Sequence, residues 1–132
     1  MTDKALVIKL KLDKATALMN EVEILLENHF YTTAISRLYY SCFHATRALL
    51  LTKDLMTKTH SGVIALLHKQ FVQEGNFDES QAAFLSRLMK ERIEGDYNDF
   101  IINDIAEIDA YIIPAKNYLT YVISLIDVYS IK

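Results

Sequence analysis

Apolar residues along this chain recur at spacings of three and four rather than two, which is the period of an amphipathic helix. From about Lys4 to Asn28, Ala15, Leu18, Met19, Val22, Leu25 and Leu26 fall on one helical face. After His29-Phe30-Tyr31, Thr32 or Thr33 can cap a second helix that reaches about Thr52. It offers Ile35, Leu38, Tyr39, Cys42, Phe43, Leu49 and Leu50 for burial, so it is expected at the centre of the fold. Lys53 to Lys58 reads as a loop, and Thr59 as the N-cap of a shorter helix through about Val72 carrying Val63, Leu66, Leu67 and Phe71. Gln73 to Phe77 breaks the pattern. Asp78 and Gln81 then have the spacing of a capping box for a fourth helix with a stripe of Phe84, Leu85, Leu88 and Met89, which should fray near Gly95. Asp104 and Glu107 offer a second such box for a long last helix to about Tyr129. Pro114 lies inside it, removes a backbone donor and predicts a kink or a late start near Ile112. Four long segments and one short one, closely connected, predict an all-α antiparallel up-and-down four-helix bundle with an additional short helix.

Composition agrees with long regular elements: 52% apolar and 23% charged residues, with three Gly and one Pro in 132 residues. With no internal repeat and no Pro/Ser/Gly-rich linker, residues 1–132 are expected to form a single domain. The lone Cys42 cannot form an internal disulfide, and Met1-Thr2-Asp3-Lys4 lacks the basic and apolar regions of a signal peptide, so a cytoplasmic location is expected. The most apolar stretch, Tyr118 to Ile126, is far shorter than the roughly 20 residues a membrane span needs. No membrane partner is expected.

A net charge of −3 argues against a strong nonspecific grip on nucleic acid, whose affinity comes from Lys and Arg displacing counterions. The charge is uneven, however. Arg37 to Arg92 contains eight Lys or Arg against five acids, and Ile93 to Lys132 two against seven, so a locally basic surface is possible.

Within Ser36-Arg37-Leu38-Tyr39-Tyr40-Ser41-Cys42-Phe43-His44, Arg37 and His44 stand seven residues apart, nearly two helical turns, and share a face. Tyr40 and Arg47 extend this polar line. Arg suits bidentate phosphate contacts and His can act as a general acid or base near neutral pH, the chemistry that metal-independent RNA cleavage requires. The competing explanation is structural, because Arg and His commonly edge a buried helix and bond a neighbour. In Arg87 to Tyr97, Arg92 and Asp96 stand at i, i+4 and with Tyr97 could position a ligand, or could simply form an ion pair closing the helix. Lys58-Thr59-His60-Ser61-Gly62 sets a base, two hydroxyls and a His at a helix start, where free amides favour anions, although ordinary N-capping accounts for it equally and no P-loop order is present. The four His are dispersed and one Cys cannot build a thiolate cage, so neither a metal nor any other cofactor is expected. Cys42 and His44, two apart on a helix, point in different directions and make a poor nucleophile–base pair.

The stretch Ser36 to Ala45, then Lys58-Thr59-His60-Ser61-Gly62-Val63, then Arg92 followed by Asp96-Tyr97, resembles in kind, order and spacing a small stand-alone prokaryotic branch of the HEPN (higher eukaryotes and prokaryotes nucleotide-binding) superfamily. The resemblance covers most of the chain. It implies a four- or five-helix bundle, frequently a homodimer, often paired with a minimal nucleotidyltransferase in a toxin–antitoxin arrangement. It also implies, for many members, a metal-independent ribonuclease using an Arg followed after four to six residues by His. The late position here, Arg92 to Tyr97, has Asp96 where that His would stand. Arg37 and His44, with six residues between them, satisfy the loose spacing on helix two instead.

Three functions follow as expectations. The first is a nucleotide- or partner-binding module whose polar site draws on Tyr40, Arg92, Asp96, Tyr97, Lys58 and His60 beside Arg37 and His44, with tyrosines stacking and arginines meeting phosphate. The second is a ribonuclease toxin in which His44 takes a 2′-hydroxyl proton and Arg37 stabilises the phosphorane-like transition state. The third is a structural partner subunit with no ligand.

Overall fold

A computed structural model describes residues 2–97 and 105–130, with side chains placed for 2–92 and 108–127. Five α-helices follow one another: α1 (Asp3–Glu27), α2 (Tyr31–Thr52), α3 (His60–Leu67), α4 (Glu79–Tyr97) and α5 (Ile105–Ser130). No strand occurs among the described residues.

Cross-helix contacts set the directions. Glu21 meets Arg37 and Ala15 meets Ser41, so partners fall in number on α2 as they rise on α1, and the pair is antiparallel. Cys42 reaches Ala115 and Thr46 reaches Tyr118, rising together, so α2 and α5 run parallel. Phe77, just before α4, packs on Tyr121 and Phe84 on Tyr118, which makes α4 antiparallel to α5. The result is the up-and-down bundle, with α3 laid across the α2–α4 side. The core runs through α2, where Ala34, Ile35, Leu38, Tyr39, Cys42, Ala45, Ala48 and Leu49 are fully or almost fully buried. Small residues on α2 let its neighbours approach closely.

Local chemistry explains most helix ends. Thr2 caps α1 by accepting from the Ala5 amide at 3.1 Å, and Thr59 caps α3 by accepting from Gly62 at 3.0 Å. Asp78 caps α4, but its carboxylate accepts from the amide and hydroxyl of Ser80 (2.8 and 2.7 Å). Two C-termini close with Schellman turns. His29 and Asp54 take φ near +59°, and the amides of Phe30 and Leu55 donate back to Leu25 and Leu50. Such a φ is uncommon outside glycine and costs of order 1 kcal/mol, which the turn's two recovered carbonyl bonds offset.

The structure departs from expectation in four places. α2 begins at Tyr31 with no side-chain cap, because the Schellman turn at His29 already delivers the chain into the helix. α3 does not continue to Val72 as α-helix; His68–Val72 widens to a π-turn, and Gly75 follows it at φ +79°. α4 passes through Gly95 to Tyr97, and α5 begins at Ile105 and runs across Pro114 rather than starting near Ile112. Its buried stripe of Ile108, Ile112, Ala115, Tyr118, Leu119 and Val122 outweighs the one backbone bond that proline removes. The Asp104–Glu107 capping box lies outside the described residues.

Candidate functional site

The bundle brings one face of α2 against the first turn of α3 and the last turns of α4. Tyr39, Tyr40, Phe43, His44 and Arg47 occupy i, i+1, i+4, i+5 and i+8 on α2, a single broad face. His60, the first residue of α3, is laid onto it. Its ring stacks on Phe43 with centroids 4.4 Å apart and planes 18° from parallel, and its Nδ1 is 2.6 Å from the Tyr39 hydroxyl. Burial pushes the Tyr39 phenol well above its ordinary pKa, so it stays protonated and holds the His60 ring in place. His44 stacks beside Tyr40 at 6.2 Å and edges Phe43 at 5.6 Å. Both histidines therefore share one aromatic platform.

Four cations surround it. The Arg92 guanidinium of α4 lies 4.9 Å from the Tyr40 ring centre and 5.8 Å from that of Tyr39; Arg47 lies 5.8 Å from Phe43. From α1, Lys11 and Lys14 bear on His44. Their effect is visible in protonation. Burial, then Lys14, Arg47, Lys11 and His60, push the His44 pKa down to about 4, and burial, then Arg92 and Arg47, lower that of His60. Lys11 is lowered in turn by burial, Arg47 and Lys14. Lys11, Lys14 and Arg47 take no part in the ion pairs Lys4–Asp54, Lys9–Asp13, Arg37–Glu21, Lys53–Glu74 and Lys116–Glu23. Two neutral imidazoles thus sit in a field of like positive charge drawn from three helices, an arrangement suited to an anion.

Of the residues singled out from sequence, Tyr40, His44, His60 and Arg92 come together here. Arg37 does not join them: its Nε donates to Glu21 at 2.7 Å, and seven residues set it about 10 Å along the helix from His44. Lys58 is exposed in the loop two residues before His60. The backbone of Asp96 and Tyr97 belongs to the end of α4, but their side chains lie outside the described residues. Tyr39 and Phe43, read from sequence as core, also form the platform, and Lys11 and Lys14 were missed. An i, i+3 lysine pair on the N-terminal half of α1 was the available signal. Among the described residues no cluster of His, Cys, Asp and Glu could hold a metal, and no helix is long and apolar enough to cross a membrane.

Comparison with known proteins adds the lineage. The profile of the HEPN domain matches residues 8–123. A UPF0332 protein of Thermotoga maritima is 29% identical over 127 residues, covering 96% of both chains. Two proteins of Methanocaldococcus jannaschii named as toxin candidates are 39% identical over 79 residues and 34% over 87 residues, covering 60% and 66% of this chain. Each of these two matches spans 59% of the relative's own length.

Proposed function

This chain belongs to the HEPN domain family, and on that premise we propose that it is a toxin-like HEPN module that holds a phosphate of a nucleotide or RNA on the His44–His60 cluster. The observation that carries the reading is the convergence of Lys11, Lys14, Arg47 and Arg92 on two neutral histidines over Tyr39, Tyr40 and Phe43. Arginines would take phosphate oxygens, and the exposed parts of Tyr40 and His60 would stack on a base. Lys58 extends the positive surface, while Asp96 and Tyr97 would complete the rim. In this reading the module works as a homodimer beside a minimal nucleotidyltransferase, as one half of a toxin–antitoxin pair.

The test is binding of a fluorescein-labelled oligouridylate and of ATP at two salt concentrations. Arg92→Gln and Arg47→Gln should each weaken binding about tenfold, a loss of about 1.4 kcal/mol, and rising salt should weaken it further. Failure of the folded, intact protein to bind either probe at low salt overturns the proposal.

A second reading, metal-independent RNA cleavage, is favoured by one feature: His44 is held neutral at physiological pH and so can accept a 2′-hydroxyl proton. Arg47, which bears on His44, stands nearer than Arg37 to stabilise the phosphorane. Digestion of a mixed RNA pool in EDTA, lost in His44→Ala and retained in Arg37→Ala, would select it; loss in both would return Arg37 to the site.

A further inference from the structure

A groove of about 240 Å³ opens beside the cluster, between the start of α1 and the α2–α3 connection. Its apolar lining is Val7, Leu50, Leu51, Leu55, Met56 and Val63, with Leu50 and Val63 buried as its floor. The surrounding surface is also apolar: Leu6, Val7 and Leu10 on α1 are 45%, 40% and 56% exposed, and Met56 is 79% exposed. Single exposed aliphatics are ordinary, but a stripe of them beside a lined groove is not. Lys11 and Arg47 form one edge of the groove and belong at the same time to the phosphate cluster. At the opposite rim Asp3 and the Lys4–Asp54 pair at 3.1 Å leave no net positive charge, so the cationic edge of the groove is the side toward His44 formed by Lys11 and Arg47.

We infer that this groove seats an acidic amphipathic segment of a partner protein, and that its occupation closes the phosphate site. The occupant follows from shape and charge. The volume falls below the roughly 300 to 1,000 Å³ of ordinary small-molecule sites, and no aromatic ring lines the groove for a nucleobase to stack on. It suits a pair of aliphatic side chains from one face of a helix, the usual anchor of helix-in-groove docking. Carboxylates on the flank of that helix would meet Lys11 and Arg47, the cations that a phosphate also needs. A docked partner and a bound nucleic acid therefore compete. This regulation rests on the phosphate-binding reading; the docking surface itself does not.

The probe is a fluorescein-labelled helical peptide of leucine, glutamate and alanine, with leucines on one face, set against the same peptide with lysine for glutamate. The glutamate peptide should bind, the lysine peptide should not, and the former should displace labelled oligouridylate. Val7→Asn and Met56→Gln, at exposed positions where folding is checked by circular dichroism, should weaken the peptide about tenfold and leave oligouridylate affinity unchanged. Arg92→Gln should do the reverse. Equal binding of both peptides, or peptide affinity untouched by both groove variants, overturns the inference. So does a dimer in light scattering that Val7→Asn dissociates, which assigns the groove to a second copy, or binding to phosphatidylglycerol vesicles lost in Val7→Asn, which assigns it to lipid. Oligouridylate binding without peptide binding sinks only this inference; peptide binding without oligouridylate binding sinks the phosphate reading and leaves the docking surface standing.

Discussion

Helix α2 carries polar groups on two sides, and the two sides are treated oppositely. Toward α1 and α5, Ser41 donates to the Ala15 carbonyl at 2.7 Å, and Thr46 bonds both the Cys42 carbonyl at 2.7 Å and the Tyr118 hydroxyl at 2.6 Å. Every one of these groups is neutral, buried and closed on a partner inside the protein, which is how a core tolerates polarity. Toward α3 and α4 the polar groups are ionisable, half-buried, and surrounded by cations of one sign. The first arrangement specifies packing; the second gathers Lys11, Lys14 and Arg47 around His44, and shifted ionisable groups of this kind mark candidate functional sites.

The comparison breaks most visibly on the interior side. Thr46→Val keeps the shape but leaves the Tyr118 hydroxyl buried without its partner, and should cost about 1–3 kcal/mol in urea unfolding. Adding Tyr118→Phe should recover part of that loss, because both polar groups are then gone together. A double variant as unstable as the simple sum would show that the pair was never coupled.

A smaller effect of opposite sign is expected on the other side. Lys14→Gln removes a like charge near His44, so it should leave stability within about 0.5 kcal/mol and move the His44 titration, followed by NMR, upward from about 4. An unmoved midpoint would mean that burial alone sets it.

The smallest effect sharpens the contrast through pH. A histidine whose folded pKa lies below its unfolded value of 6.5 favours the folded state above 6.5, and that contribution is lost as pH falls toward about 4. The melting temperature should therefore fall less steeply over that window in His44→Gln than in the intact protein. Pyrophosphate should offset part of the fall in the intact protein, since an anion amid Lys11, Lys14, Arg47, His60 and Arg92 makes protonation of His44 less costly. A pH profile identical in both proteins would place no unfavourable protonation at His44.

Much of the architecture was legible in the chain. Helical periodicity marked every element, Thr59 and Asp78 were recognisable as caps, and α2 could be seen as central from its length of apolar side chains. The misplaced starts have different causes. At Pro114 local chemistry argued for a later start and burial against neighbouring helices outweighed it, whereas at Tyr31 the Schellman turn at His29 set the start. The site was half legible. Tyr40, His44, His60 and Arg92 could be named from residue type and helix position, but their meeting could not, because α3 folds back across α2 only after a seven-residue loop.

Fold class, and the identity of the charged and aromatic residues on each helix, follow from the chain alone, since a 3.6-residue period and side-chain chemistry are local properties. Which charges find partners is settled when the helices pack. Arg37 and Arg47 stand ten residues apart on one helix and are chemically alike, yet the first faces Glu21 across the α1–α2 seam and the second faces Lys11, His44 and Phe43. That difference arises from what the neighbouring helix presents opposite each side chain, and no property of α2 alone contains it.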